Sequence, residues 1–201
     1  GVGIDTGAFT GIVLGCIGRD GKKWIIGETY TEKPAGGIYT TLTEAEEMLL
    51  RILGPIFQAE KIEQVINDIL FIVSIDPASQ HKLEIVDRWD CALSSPNTAD
   101  QKSLLMSIDR VEKWFHDGEL FVVEDCTSTV DQLRKYVWKQ LKAHTSAGAP
   151  VIREPSKGYD HLCDALRFLM IPLADHGIPT EPPPVVTWAD AWERRTRDTL
   201  F

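Results

Sequence analysis

The sequence is short of cysteine, short of basic charge and without a long apolar run. Its four cysteines, Cys16, Cys91, Cys126 and Cys163, form no CxxC pair, and none stands at zinc-ligand spacing from a histidine. A zinc ribbon and a disulfide framework are excluded, and the four read as buried free thiols of a reducing compartment. Lys and Arg total 21 against 30 Asp and Glu, for a formal net charge of -9. That excludes a nucleic-acid binder that is basic throughout. Any nucleic-acid partner must be held by a local basic patch, by metal ions or by a neighbouring domain. No apolar run reaches the ~18 residues of a membrane span, and no leader pattern opens the chain. No GxxxxGK(S/T) loop is present, so the phosphate cradle of a P-loop ATPase is missing.

What is there fits one soluble globular domain of 201 residues, with 43% hydrophobic and 25% charged residues. The first residue is Gly1, at the head of an apparent strand, so the chain reads as a domain with something upstream of it. Residues 2–6, 10–17 and 23–31 are β-rich runs with short joins, the second containing Asp20-Gly21. They predict an antiparallel three-stranded meander. Residues 34–41 read as loop. Thr43 with Glu46 three residues on has the pattern of a capping box opening a helix. Residues 69–75 (ILFIVSI) are continuously apolar, which predicts a strand buried on both faces in a parallel position. Helices are expected at 81–88, 99–117, 128–142 and 159–173, with strands at 90–93 and 119–123. Leu162, Ala165, Leu166 and Leu169 mark the inward face of the last helix. Residues 144–150 read as a loop or hairpin tip. The expected class is α/β, a mixed sheet of meander plus parallel strands flanked by helices, over residues 1–176. Residues 177–201 form a Pro-rich extension.

Three acids stand out by position. Asp5 interrupts the apolar strand GIDTG, Asp76 ends the apolar strand SIDPAS, and Asp164 lies on the inward-leaning face of the last helix. With the 69–75 strand beside the first, Asp5 and Asp76 are neighbours at adjacent strand ends. A buried carboxylate needs a partner or a metal. Asp76 before Pro77 also suits a plain turn residue. The three together, on three converging elements, predict a shared cation. Oxygen-only ligands suit Mg²⁺ or Mn²⁺, and two such ions serve phosphodiester cleavage by activating a water and stabilising the leaving 3′ oxygen. His161, three residues before Asp164, is a candidate ligand or proton shuttle, or a histidine satisfied by a backbone carbonyl. Asp160 is a candidate supporting acid or a favourable acid of the first helical turn. Glu124 and Asp125, closing the ELFVV strand, are candidates for a further ligand or simple strand-end caps.

The segments GVGIDTGAFTGIVLG, LFIVSIDPAS, DGELFVVEDCTSTVDQLRKYVW and GYDHLCDALRFLM, in that order, resemble the C-terminal nuclease domain of tailed-phage terminase large subunits. The resemblance runs from about Gly1 to about Leu173, and the DHxxDALRF stretch is its most specific part. It implies an RNase H-like fold and a metal-dependent endonuclease that cuts concatemeric double-stranded viral DNA during packaging. It implies Asp5, Asp76 and Asp164 as metal-binding catalytic acids, with His161 beside the metals. The implied partners are double-stranded DNA, an upstream packaging ATPase absent from this chain, the portal and the small terminase subunit, in the host cytoplasm. The acidic Glu124-Asp125 pair departs from many relatives.

Arg134, Lys135, Lys139, Lys142, Arg153 and Lys157 stand against the single acid Glu154 within residues 132–157, a local charge of +5. This stretch is the candidate DNA-backbone surface, or else a solvated helix face. Arg194, Arg195 and Arg197 are a weaker candidate. Trp188 and Trp192, four apart, suit packing better than base stacking. Three other readings stay open. A phosphoryl-transfer ATPase of the actin and sugar-kinase type lacks its second glycine-rich loop here. A docking module that kept the fold would not need all three acids. A RuvC-like resolvase or transposase core differs in cleaving branched DNA as a dimer.

Overall fold

The computed structural model describes residues 1–6, 10–31, 37–70, 72–94, 101–139, 155–156, 158 and 160–176, with backbone alone at 37–40 and 101. In chain order these form β1 (Val2–Thr6), β2 (Thr10–Ile17), β3 (Lys23–Thr31), α1 (Gly37–Phe57), the short α2 (Ile62–Gln64), a π-helical turn (Val65–Ile69) and β4 (Val73–Ile75). Then follow α3 (Lys82–Trp89), β5 (Leu93–Ser94), α4 (Gln101–His116), β6 (Leu120–Val122), α5 (Thr127–Lys135) and α6 (His161–Asp175). The strands make one six-stranded sheet in the order β5-β4-β1-β2-β3-β6. β1, β2 and β3 are the expected antiparallel meander. β4 pairs parallel to β1, β5 parallel to β4, and β6 parallel to β3. No described helix is long and apolar enough to cross a membrane.

Alternation along β1 and β2 divides the core. Val2, Ile4, Ile12 and Leu14 face one side and pack with Leu42, Leu49 and Leu53 of α1 and Ile85 and Trp89 of α3. Val13 and Ile25 face the other side and pack with Leu162, Ala165, Leu166, Leu169 and Met170 of α6. All four α6 residues expected to point inward are fully buried. On that second face β1 and β2 carry glycine at Gly3, Gly11 and Gly15. A Cβ at Gly3 would lie 2.1 Å from the Ala165 carbonyl oxygen, and one at Gly11 2.9 Å from the His161 carbonyl carbon. Helix α6 therefore rests on strand backbone, closer than a side-chain layer would permit.

The structure corrects several expected elements. Residues 37–41 belong to α1, because burial of Thr41 and Leu42 overrides a loop-like composition. Thr43 is thus inside the helix, and the Thr43–Glu46 capping box does not form. Glu46 instead accepts from Arg88 Nε at 2.8 Å, Arg88 Nη2 at 2.7 Å and Trp89 Nε1 at 2.9 Å, tying α1 to α3. Of the apolar run 69–75, only Val73–Ile75 is strand, and Ile69 closes the π-helical turn packed against the same core. A short apolar run has no period with which to choose between strand and buried helix. The short strand expected at 90–93 lies at Leu93–Ser94. Helix α5 stops at Lys135, not 142. Tyr136 is extended and Trp138 bridges antiparallel to Pro155, so cross-strand pairing takes over where the helix was expected to continue. Leu141, the loop at 144–150 and the extension 177–201 lie outside the described residues.

Replacing Gly3 by Ala puts a methyl group into the α6 backbone. Gly3→Ala should lower unfolding stability in urea by about 3 kcal/mol. An unchanged midpoint would show that α6 does not rest on that strand.

Candidate active site

The parallel pairing of β1 and β4 sets their C-terminal ends side by side. Ile4 pairs with Ile75, and the Asp76 amide donates to the Ile4 carbonyl at 3.1 Å. Asp5 and Asp76 are the next residues on each strand, as expected from sequence. Asp5 lies on the same face as Gly3 and Gly11, beneath the start of α6. There His161 Nδ1 meets Asp5 Oδ2 at 2.7 Å. Asp5 is 7% exposed. Asp76 also makes its turn: its Oδ1 accepts from the Ala78 amide at 2.9 Å and its carbonyl from the Ser79 amide at 3.0 Å. The Thr6 hydroxyl bonds to the Ser79 hydroxyl, fastening the end of β1 to the loop after β4.

Helix α6 begins at this point for a local reason. Asp160 is its N-cap residue, and the Asp160 carbonyl accepts the Asp164 amide at 2.8 Å. The Leu162 amide, an orphan donor of the first turn, is satisfied by Gln132 Oε1 of α5 at 2.8 Å. Gln132 is buried for that purpose. One turn on, Asp164 Oδ1 accepts from Arg167 Nη2 at 2.9 Å. Neither Gln132 nor Arg167 was singled out from sequence. Arg167 had a signal, a charged residue among the buried positions of an apolar helix. Gln132 had none, because its partner is a backbone amide thirty residues away.

The site carries more negative charge than its neighbours balance. Burial pushes the Asp5 carboxyl above the ordinary carboxylate range, the His161 hydrogen bond opposes this, and the charges of Asp164 and Asp76 add to the rise. Burial raises Asp164 too, against the pull of Arg167, with Asp160 and Asp76 adding to the rise. The hydrogen bond to Asp5 raises His161 above the ordinary imidazole value, burial opposes this, and the charges of Asp5, Asp160 and Asp164 add to the rise. Tyr136 is raised by burial first and by the charge of Asp164 second.

The structure thus brings together Asp5, Asp76, Asp164 and His161, with Asp160 at the helix start. It does not bring in Glu124 and Asp125. They are exposed beyond the edge strand β6, and β2 and β3 separate that strand from β1, a distance of about 14 Å at ordinary strand spacing. Among the described residues, no group of three or more His, Cys, Asp or Glu side chains is already closed to metal-holding geometry. Asp5 is engaged by His161, and Asp164 by Arg167. Of the basic stretch, Arg134 and Lys135 end α5 and Lys139 follows Trp138, all exposed, with Lys135 paired to Asp131 at 2.6 Å. Lys142, Arg153, Lys157, Trp188, Trp192, Arg194, Arg195 and Arg197 lie outside the described residues.

No protein-family model matches the sequence, and neither does any curated protein. Solved structures do match the fold. The large terminase of a thermophilic bacteriophage superposes with a TM-score of 0.56 at 19% identity, over 83% of this chain and 38% of that one. The large terminase nuclease of the thermophilic phage G20c superposes with a TM-score of 0.52 at 15% identity, over 83% of this chain and 78% of that one. The fold is accordingly the RNase H-like fold of terminase nucleases. The chain spans 38% of the length of the first of these proteins.

The raised Asp5 has a consequence for stability. The folded state binds the Asp5 proton more tightly than the unfolded chain. Asp5 therefore costs nothing below its unfolded value, and its cost grows as pH rises through the folded one. Asp5→Asn should raise the thermal midpoint of the metal-free chain at pH 8 by roughly 2–4 °C, about 1 kcal/mol. The gain should vanish near pH ~3.5, below the ordinary aspartate value. A loss of stability at pH 8 would show that the His161 bond outweighs burial.

Proposed function

We propose that this chain is a divalent-metal-dependent endonuclease domain that cuts concatemeric double-stranded viral DNA during genome packaging. The observation that carries this is that β1 and β4 end side by side at Asp5 and Asp76, with Asp164 of the first turn of α6 close enough to interact electrostatically with both. The donor set fits Mg²⁺ or Mn²⁺. It is all oxygen, and burial with mutual repulsion raises two of its members, which is the imbalance a divalent cation relieves. Asp5, Asp76 and Asp164 would hold the ions, two by the chemistry of phosphodiester hydrolysis. Bound there, the ions supply an activated water and charge stabilisation for the leaving 3′ oxygen. His161, held through Nδ1 by Asp5, would be the group that holds or releases a proton near the reacting phosphate. Hydrolysis in this sense leaves 5′-phosphate and 3′-hydroxyl ends.

The DNA backbone would follow the basic stretch from Arg134 and Lys135 through Lys139 to Lys142, Arg153 and Lys157, without reading sequence. The remaining acidity of the chain makes unaided affinity weak. That suits a domain handed its substrate by a packaging ATPase, in a motor with the portal and the small terminase subunit, in the host cytoplasm.

In a plasmid-nicking assay, Mn²⁺ or Mg²⁺ should support nicking and linearisation, EDTA should stop it, and Asp5→Ala should cut at least about 100-fold more slowly. Unchanged cleavage by Asp5→Ala would sink the site. Separately, Lys139→Gln should weaken DNA binding on every sequence and lower the salt slope by about 1. A slope equal to the parent's would remove Lys139 from the DNA surface.

A further inference from the structure

We propose that Arg167 is a positioning residue. It holds Asp164 in the orientation that accepts a cation, and it is itself aimed by Ser107 of α4. This rests on the metal-dependent reading of the site. Arg167 is 4% exposed, a permanent charge taken out of water. Burying a charge is costly, and a well-packed apolar residue at such a position serves stability as well or better. The fold nonetheless places a guanidinium here and leaves its Nε without a partner among the described residues.

The geometry shows which partner is fixed and which is held. Arg167 Nη1 donates to Ser107 Oγ at 3.2 Å. Ser107 is buried and its hydroxyl donates to the Leu104 carbonyl at 2.7 Å, so its own direction is set. The guanidinium also lies over the Phe168 ring, 4.7 Å from its centroid. These contacts fix the guanidinium without Asp164. The Asp164 side chain is the more open of the two, 27% exposed against 5% for Arg167. Asp164 Oδ1 is taken by Nη2, which leaves Oδ2 for an ion. A chain of contacts thus runs from the α4 backbone through Ser107 and Arg167 to one oxygen of Asp164. Helix α4 supplies no expected ligand, so this is its route into the site. A lysine could keep the charge but not the two-pronged geometry.

The test uses the full chain with Mn²⁺ as the probe and two substitutions that preserve net charge, Arg167→Lys and Ser107→Ala. Calorimetric Mn²⁺ affinity, the thermal midpoint in EDTA, and the Mn²⁺ dependence of DNA cleavage are measured for each. Both variants should bind Mn²⁺ about 10–100-fold more weakly, as expected on removing a group that orients a metal ligand. Their half-saturating Mn²⁺ for cleavage should rise in parallel, while kcat at saturating Mn²⁺ stays near the parent's. Mn²⁺ affinity unchanged in both, with lowered thermal midpoints, would make Arg167 a brace and overturn the proposal. Affinity unchanged in both, with midpoints also unchanged, would reduce Arg167 to a counter-charge and overturn it too. Absence of Mn²⁺ binding by the parent chain would overturn the metal reading, and the Arg167 role with it.

Discussion

Helix α6 lies directly on the backbone of β1 and β2, and that contact decides where each reactive side chain goes. Gly3 and Gly11 clear the floor, with a carbonyl oxygen and a carbonyl carbon of α6 occupying the space a methyl group would need. At ordinary helix-on-sheet separation, a layer of side chains would stand between Asp5 and the helix. Here the gap closes, and His161 reaches Asp5 at 2.7 Å. The same face puts Leu162, Ala165, Leu166 and Leu169 into the core and leaves Asp164 near enough to Asp5 and Asp76 to act on them electrostatically. Packing and chemistry are set by one face of one helix.

The site so built is electrostatically poor as a stable interior. Three acids converge, and burial works against the ionised form of two of them. His161 and Arg167 offset this in part, each taking one carboxylate oxygen. Such a residual imbalance is the kind that functional sites retain at the expense of stability. The surrounding contacts that fix it come from Gln132 of α5 at the start of α6, Ser107 of α4 behind Arg167, and Ser79 between the ends of β1 and β4.

Much of this was legible in the sequence because it rests on period and on interruptions of period. The meander is three β-rich runs with short joins, α6 has a helical apolar stripe, Asp5 and Asp76 interrupt or end apolar strands, and Asp164 falls on the inward-leaning face of α6. The parallel placement of β4 beside β1 followed from a strand with no polar face. The illegible parts depend on contacts far apart in the chain. Thr43 and Glu46 have the local form of a cap, yet Glu46 is taken by Arg88 and Trp89. The 69–75 run carries no period, so the helical start at Ile69 could not be told from strand. Val137 continues the apolar stripe of α5 in the sequence, yet the helix ends at Lys135 and Trp138 pairs with Pro155 instead. Gln132 acts on a backbone amide and Arg167 on the Asp164 carboxylate, roles that spacing does not encode.

A net charge of -9 first argues against a nucleic-acid partner. The structure relocates part of that charge to one point where cations, not DNA, would meet it. The central claim is that Asp5, Asp76 and Asp164 form a single cation site. A crystal structure of the chain grown with Mn²⁺, read by anomalous difference density, tests it most directly. Anomalous peaks should lie in contact with all three carboxylates, with Asp164 still held by Arg167. Peaks elsewhere, or none at saturating Mn²⁺, would contradict it.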